Sequence, residues 1–183
     1  SPGSYQADSG QTSCDAADAG NYVSSTAQTS QTACSAGSYQ AYSGQTSCDA
    51  ADAGSYVPST AQTSQTACTI GTFSSSKGSV SCTDAPAGYY VSFTGQSSAT
   101  ACSPGSYQAD SGQTSCDAAD IGSYVSAVGQ LTQTACPTGQ STITTGSDSS
   151  TQCISDFDND SIVDLLDSDD DNDGVSDLTD QCL

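Results

Sequence analysis

The chain of 183 residues is 34% hydrophobic, has no Trp, Met, His, Arg or Glu, and carries a net charge of −20 from 21 Asp against the single Lys77. A surface this negative repels the phosphate groups of nucleic acids and the headgroups of anionic membranes, so we expect neither as a partner. No apolar run is long enough to predict insertion into a membrane.

Few Leu, Ile or Phe are available for an aliphatic core, so the fold needs covalent or metal staples. The ten cysteines fit this role. An even number at regular spacing, in a chain rich in Ser, Thr and Gly, predicts disulfide bonds and an extracellular or cell-surface location. A zinc site is not expected, because the chain has no Cys-x-x-Cys pair and no His.

Residues 1–153 consist of nine repeats of 17 residues. An aromatic row recurs with this period at Tyr5, Tyr22, Tyr39, Tyr56, Phe73, Tyr90, Tyr107 and Tyr124. A first glycine row runs from Gly3 to Gly139, and a second begins at Gly10 and is replaced by Ala27 and Ala61 in two repeats. So strict a period predicts a tandem array in which neighbouring repeats stack through their aromatic residues.

Cysteines 14 residues apart recur as pairs, and the segments between them lack both members together. Joint loss indicates a bonded pair, because losing one member alone would leave a free thiol. We therefore predict the bonds Cys34–Cys48, Cys68–Cys82 and Cys102–Cys116, with Cys136–Cys153 as a lengthened version. Each loop of this size stabilises the fold by about 3 kcal/mol. The alternative pairs Cys14 with Cys34 and continues in that register.

Short alternating segments such as Ser38-Tyr39-Gln40-Ala41-Tyr42, bounded by glycine turns, predict short strands, and no segment has a helical period. The predicted fold is small, disulfide-rich and mostly β or irregular, with little or no helix. We expect an elongated tandem array of linked loops. The alternative is a β-solenoid with one repeat per coil, advancing about 4.8 Å per repeat.

The stretch Cys82-Thr83-Asp84-Ala85-Pro86-Ala87-Gly88-Tyr89-Tyr90 resembles the C-x-x-C-P-x-G-x-Y signature of ephrin-receptor-like cysteine-rich repeats, which are relatives of the tumour-necrosis-factor-receptor modules. The resemblance covers residues 1–153. It departs from the family where Ala85 stands in place of a cysteine. It implies an extended stalk with a ladder of disulfides.

The sequence changes character after Cys153, with eleven Asp in residues 156–180. Acidic residues occupy positions 1, 3, 5, 9 and 12 of two consecutive loops, the second starting 13 residues after the first. Position 7 supplies a backbone carbonyl. This is the ligand spacing of a calcium loop, in which alternate side chains converge on one hard cation. The predicted ligands are Asp156, Asp158, Asp160, Ile162, Asp164 and Asp167 in the first loop, and Asp169, Asp171, Asp173, Val175, Asp177 and Asp180 in the second.

Position 6 of each loop needs a sharp turn, which suits Gly174 better than Ser161, so the first loop is expected to be weaker. Asn159-Asp160-Ser161 also fits a glycosylation sequon, although we favour its role in the loop. The alternative for the whole segment is a solvated acidic tail. Regularly interleaved apolar residues argue against that alternative.

The two loops abut, which leaves no room for the helices of an EF-hand. Residues 156–182 instead resemble thrombospondin type 3 repeats, in which the aspartates bind calcium. The resemblance implies calcium as the cofactor at the matching positions. We accordingly predict two domains, a cysteine-rich repeat stalk over residues 1–153 and a calcium-binding segment over residues 154–183.

Cys14 and Cys182 have no partner in the predicted pairing. Residues 1–14 repeat residues 103–116 letter for letter, and Cys102 precedes the latter, so the partner of Cys14 is expected just before the first residue. A bond between Cys182 of one copy and Cys14 of the next would satisfy both thiols. Such a heterologous contact propagates head to tail into a filament. The alternative is that a neighbouring domain supplies both partners.

No enzyme is expected, because the usual acids, bases and oxyanion donors are missing and the Asp residues of the repeats recur instead of forming one unique pair. The composition and the resemblances favour a structural extracellular protein, a disulfide- and calcium-stabilised stalk in a surface filament or matrix fibre. The alternative is an adhesin or receptor-type module that presents its tyrosines and polar loops to glycans or to a protein.

Overall fold

The computed structural model describes residues 1–172 and 174–178. Two-residue strands follow one another along the chain, in the order β1 Ser4–Tyr5, β2 Asp15–Ala16, β3 Asn21–Tyr22, β4 Thr32–Ala33, β5 Ser38–Tyr39, β6 Asp49–Ala50, β7 Ser55–Tyr56, β8 Thr66–Ala67, β9 Thr72–Phe73, β10 Thr83–Asp84, β11 Tyr89–Tyr90, β12 Thr100–Ala101, β13 Ser106–Tyr107, β14 Asp117–Ala118, β15 Ser123–Tyr124, β16 Thr134–Ala135, β17 Gln140–Ser141 and β18 Ile154–Ser155. The one helix of the described residues is a 3-10 helix, Ser150–Gln152.

Consecutive strands pair into antiparallel hairpins, β1 with β2 and so on to β17 with β18. The register is constant, as in β5–β6, where Ser38 faces Ala50 and Tyr39 faces Asp49. Each repeat therefore contributes one hairpin. The predicted fold class, a disulfide-rich and mostly β tandem array with almost no helix, is confirmed for the described residues.

The chain forms two compact units. The first contains Ser1–Ala85 and Val91–Ala99, and the second contains Pro86–Tyr90 and Thr100–Leu183. Hairpins β1–β2 to β9–β10 belong to the first unit, and β11–β12 to β17–β18 belong to the second.

Within each compact unit, main-chain hydrogen bonds join a repeat to the next one and to the one after it. In the first unit the N–H of Gly37 donates to the carbonyl of Val57 at 2.8 Å, and the N–H of Gly78 donates to the carbonyl of Ala51 at 2.8 Å. The same bonds recur in the second unit. These bonds satisfy backbone groups that such short strands leave unpaired.

Small side chains form the core. Every described member of the row that we call the Cys/Ala row is completely buried through the first seven repeats, namely Ala17, Cys34, Ala51, Cys68, Ala85, Cys102 and Ala119. A second buried row consists of Val23, Val57, Val91 and Val125, alternating with Gln40, Ser74 and Gln108. The predicted aromatic row is only half-buried. Closely spaced backbones leave room in the interior for Ala, Cys and Val, so the larger rings lie at its margin.

The two glycine rows have different physical causes. A Cβ on Gly37, in the first row, would overlap the carbonyl oxygen of Gly78, two repeats further along. The second row requires only a left-handed backbone, since a Cβ on Gly10 would meet nothing within 4 Å. Ala61 adopts that conformation with a φ of 58°. The same overlap occurs at six first-row glycines between Gly3 and Gly105, which explains why alanine replaces glycine in the second row and not at these positions.

All four predicted disulfides are present, Cys34–Cys48, Cys68–Cys82, Cys102–Cys116 and Cys136–Cys153. The first three span 14 residues and the last spans 17. The last loop is longer because the 3-10 helix, Ser150–Gln152, is inserted just before Cys153. Ser149 caps this helix by accepting a hydrogen bond from the N–H of Thr151 at 3.2 Å.

Candidate metal centre

The first predicted ligand, Asp156, stands in the Cys/Ala row. It follows strand β18 directly, and its N–H donates to the carbonyl of Gly139 at 3.0 Å. Cys136 makes the equivalent bond to Gly122, at 2.8 Å. Asp156 is accordingly only 3% exposed. The hairpin that ends the array thus places a carboxylate where earlier repeats bury Ala or Cys.

Three of the predicted ligands come together around this buried carboxylate. Asp156, Asp158 and Asp160 each offer a carboxylate oxygen, and these oxygens lie within 4.8 Å of one another. Oδ1 of Asp156 is buried and has no hydrogen-bond partner among the described residues. A buried carboxylate oxygen without a donor is costly, and a hard cation would satisfy it. The residues present therefore fit calcium.

The electrostatics of the cluster agree with this fit. Burial raises the pKa of Asp156, and the negative charges of Asp158 and Asp160 raise it further, while the N–H groups of Ser161 and Asn159 oppose the shift. Burial and the neighbouring negative charges both disfavour the ionised form of Asp156. A bound cation would offset both effects and stabilise the carboxylate.

Backbone N–H groups bonded to carboxylates shape the first loop. Phe157 donates to Oδ1 of Asp164 at 2.8 Å, and Ile162 donates to Oδ1 of Asp160 at 2.7 Å. The predicted turn residue Ser161 has a φ of 77°, so it is held in the left-handed region that favours glycine. The bond from Phe157 ties Asp164 to the loop backbone, outside the three-carboxylate cluster.

Over its described residues, the second loop repeats hydrogen bonds of the first. The N–H of Asp170 donates to Oδ1 of Asp177 at 2.9 Å, the counterpart of the bond from Phe157 to Asp164. Gly174 has a φ of 90° and donates to Oδ2 of Asp169 at 3.0 Å. The 13-residue spacing read from the sequence is therefore also a structural period over the described part of the loops.

Among the described residues, the other predicted ligands are not part of this three-carboxylate cluster. Oδ1 of Asp167 accepts hydrogen bonds from the N–H groups of Ser168 and Asp169. The side chains of Ile162 and Val175 are exposed. The predicted ligand atoms of these two residues are backbone carbonyls, and that role stays a prediction. Asp171 interacts with another group of the chain. The predicted ligands Asp173 and Asp180, and the predicted bonding cysteine Cys182, lie outside the described residues.

Asp170 was not predicted as a site residue, because it occupies the non-ligand position that Phe157 holds in the first loop. Its Oδ1 is buried without a hydrogen-bond partner among the described residues. Desolvation raises the pKa of Asp170, and the charges of Asp177, Asp164, Asp167 and Asp158 add to the shift. A carboxyl side chain at a position that is apolar in the preceding loop is the one sequence signal that marks it.

Both ends of the Asn159 side chain are engaged within the fold. Its Oδ1 accepts the N–H of Gly139 at 3.0 Å, and its Nδ2 donates to the carbonyl of Phe157 at 3.3 Å. The residue has a φ of 60°. These contacts favour the loop role over use of the sequon.

A hydrogen-bonded pair of side chains, which we call the Gln–Asp clamp, closes some of the repeats and was not predicted from the sequence. In three of the repeats without a disulfide, Gln occupies the position of the second cysteine, and its amide pairs with an Asp 13 residues earlier. The clamps are Asp18–Gln31, Asp52–Gln65 and Asp120–Gln133. At Asp52, the N–H donates to Oε1 of Gln65 at 2.6 Å. The repeat with Ala99 in place of Gln has Pro86, which lacks an N–H, in place of Asp. This joint substitution is the signal that could have revealed the clamp.

No described helix has the length and apolarity of a transmembrane span. Comparison with protein-family models and with curated protein sequences finds no match to this chain. The resemblances to ephrin-receptor-like and thrombospondin type 3 repeats stay predictions.

Proposed function

We propose that this chain is a structural extracellular protein, a disulfide- and calcium-stabilised stalk that assembles head to tail into a surface filament or matrix fibre. The observation that carries the proposal is the regular ladder of bonds, in which Cys48, Cys82 and Cys116 are each bonded to a cysteine 14 residues earlier. Cys14 occupies the same position in its own repeat and is exposed. A thiol from another copy, with Cys182 as the candidate, would complete the ladder at Cys14.

Calcium is the cation that the cluster chemistry favours. Three aspartates with convergent oxygens, one of them 3% exposed, offer only hard oxygen ligands. Regular disulfides are typical of oxidising compartments, where extracellular calcium is also abundant enough to load sites of modest affinity. The repeated staples and the acidic loops together support a load-bearing, calcium-dependent role.

Assembly is tested by mass measurement under non-reducing conditions. Purified protein in calcium should form a disulfide-linked ladder of oligomers, and Cys14→Ser should abolish the covalent ladder. Cys182→Ser should do the same if Cys182 is the partner. Cys102→Ser with Cys116→Ser, which removes a bond within the array without leaving an unpaired thiol, is the matched control and should leave the ladder in place. Discrete monomers in both calcium and chelator would refute the polymer.

Metal binding is tested separately by isothermal titration with CaCl₂. Asp156→Asn removes the buried ligand charge and should weaken calcium binding by at least about tenfold, since carboxylate count sets the affinity of calcium loops. Asp110→Asn, an exposed residue in the repeats, makes the same charge change away from the cluster and should bind like the wild type. Equal affinities in the two variants would refute the site.

Two exposed aromatic side chains support the alternative, an adhesin or receptor-type module. Tyr42 is 73% exposed and Phe93 is 71% exposed, at equivalent positions of their repeats. Isolated exposed rings suit stacking on sugars or insertion into a protein partner. Saturable binding of monomeric protein to a glycan array, lost in Tyr42→Ser and Phe93→Ser, would favour this function.

A further inference from the structure

The acidic segment completes the hydrogen bonding of the last repeat. In the first seven repeats the first-row glycine donates its N–H to a backbone carbonyl 20 residues ahead, as when Gly105 donates to Val125 at 2.8 Å. In the eighth repeat the acceptor is already a side chain, Oγ1 of Thr142, at 3.0 Å from the N–H of Gly122. For the last glycine of the row, Gly139, the acceptor 20 residues ahead is the side-chain Oδ1 of Asn159, at 3.0 Å. The carbonyl of the same Gly139 accepts the N–H of Asp156 at 3.0 Å. The loop therefore takes the place of a tenth repeat.

Both contacts with Gly139 come from the residues that shape the candidate metal cluster. Asp156 supplies the buried carboxylate, and Asn159 lies between the ligands Asp158 and Asp160. The disulfide Cys136–Cys153 lies close to Asp156 in the chain, because Cys153 immediately precedes strand β18 and Asp156 immediately follows it. Cys153 is only 8% exposed. A reductant reaches such a bond when the hairpin opens.

We propose that cation binding at Asp156, Asp158 and Asp160 is coupled to the last hairpin through Asn159, so that calcium protects the Cys136–Cys153 bond from reduction. The inference rests on the proposed metal site and adds a positioning residue and a consequence to it. A ligand that binds only the closed hairpin lowers the open population by the factor 1 + [L]/Kd. At a calcium concentration about 100 times Kd, full coupling would slow reduction by about 100-fold.

The test follows the reduction of individual disulfides by pulsed alkylation and peptide mass spectrometry, with and without CaCl₂. In the wild type, calcium should slow reduction of Cys136–Cys153 by at least about tenfold and leave Cys102–Cys116 unchanged, an internal control in the same molecule. Asn159→Gly removes the acceptor and tolerates the positive φ, so calcium should still bind while protection is lost. Asn159→Asp retains an acceptor oxygen and should restore protection.

The outcomes separate this inference from the metal site. Calcium binding in the wild type without slower reduction of Cys136–Cys153 would overturn the coupling and leave the site standing. No calcium binding in the wild type would overturn both. Undiminished protection in Asn159→Gly would overturn the role of Asn159. If that variant does not fold, amide exchange of Gly139 in the wild type decides, because coupling requires that calcium slow it by a comparable factor.

Discussion

Replacing a Gln–Asp clamp by a disulfide tests whether the clamp and the disulfide occupy equivalent places. The change is Ala51→Cys with Gln65→Cys. Gln65 immediately precedes strand β8, as Cys48 immediately precedes β6. Ala51 donates its N–H to Gly37 at 2.9 Å, as Cys34 does to Gly20 at 2.9 Å. The two new thiols should therefore meet and form a fifth bond.

The magnitude follows from two opposing terms. The substitution removes two exposed hydrogen bonds between Gln65 and Asp52, at 2.6 and 3.0 Å. Such bonds contribute about 0.5–1 kcal/mol each, so their loss costs about 1–2 kcal/mol. Closing a loop of this length contributes about 3 kcal/mol. The disulfide wins, and the free energy of unfolding should rise by about 1–2 kcal/mol, or roughly 2–8 °C in Tm.

The assay is thermal unfolding followed by circular dichroism, after mass mapping of the new bond. Ala51→Ser with Gln65→Ser removes the same clamp without forming a bond, and this matched control should be less stable than the wild type. The reasoning is refuted if the two new cysteines stay reduced in oxidising buffer. It is also refuted if the bonded variant is no more stable than the serine control.

Three further results are expected. Gly37→Ala should destabilise the fold by more than about 3 kcal/mol, because the new Cβ would overlap a carbonyl oxygen, whereas Gly44→Ala should cost about 1–2 kcal/mol. Denaturant unfolding measures both free energies, and equal costs would contradict this expectation. The hydrogen bond from Gln65, followed by the hydrogen bond and charge of Lys77, lowers the pKa of Asp52 below its ordinary value. Its contribution to stability is therefore present above about pH 4 and lost as pH falls through the lowered pKa, and NMR titration should show that pKa rising in Gln65→Ala. Chelation of calcium should increase the amide exchange rates around Asp156 and leave those of the first compact unit unchanged. Equal exchange rates around Asp156 with calcium and with chelator would exclude calcium-dependent folding of the loops.

The period of the sequence was enough to predict the short strands and the disulfide pairing. Joint loss of both cysteines identified Cys34–Cys48 and its equivalents. Two bonded cysteines are kept or lost together, because the loss of one alone would leave a free thiol. The insertion before Cys153 was visible as a longer spacing. Its form, a capped 3-10 helix, depends on local hydrogen bonds that the spacing does not specify.

The Gln–Asp clamp shows what the same period did not reveal. Gln65 and Asp52 lie 13 residues apart, and their pairing depends on the distance between two strand ends. Asp52 also lies 3.3 Å from the amine of Lys77, an exposed ion pair with little effect on stability. Polar side chains have many potential partners in an unfolded chain, so residue type alone does not predict their pairing. The hairpin geometry sets it, and its only trace in the sequence is the joint replacement of Asp and Gln by Pro86 and Ala99.

The sequence by itself determined the nine-fold repeat, the almost complete absence of helix, the four bonds and the aspartates that could bind a cation. Only the tertiary structure decided which of these features act together. A close main-chain approach two repeats apart requires glycine in the first row, whereas the second row requires only a left-handed backbone. The hydrogen bond from Asp156 to Gly139 moves one carboxylate into the buried Cys/Ala row. The burial of a side chain depends on how closely the backbones of neighbouring repeats pack. That packing distance is set only when the repeats have folded on one another.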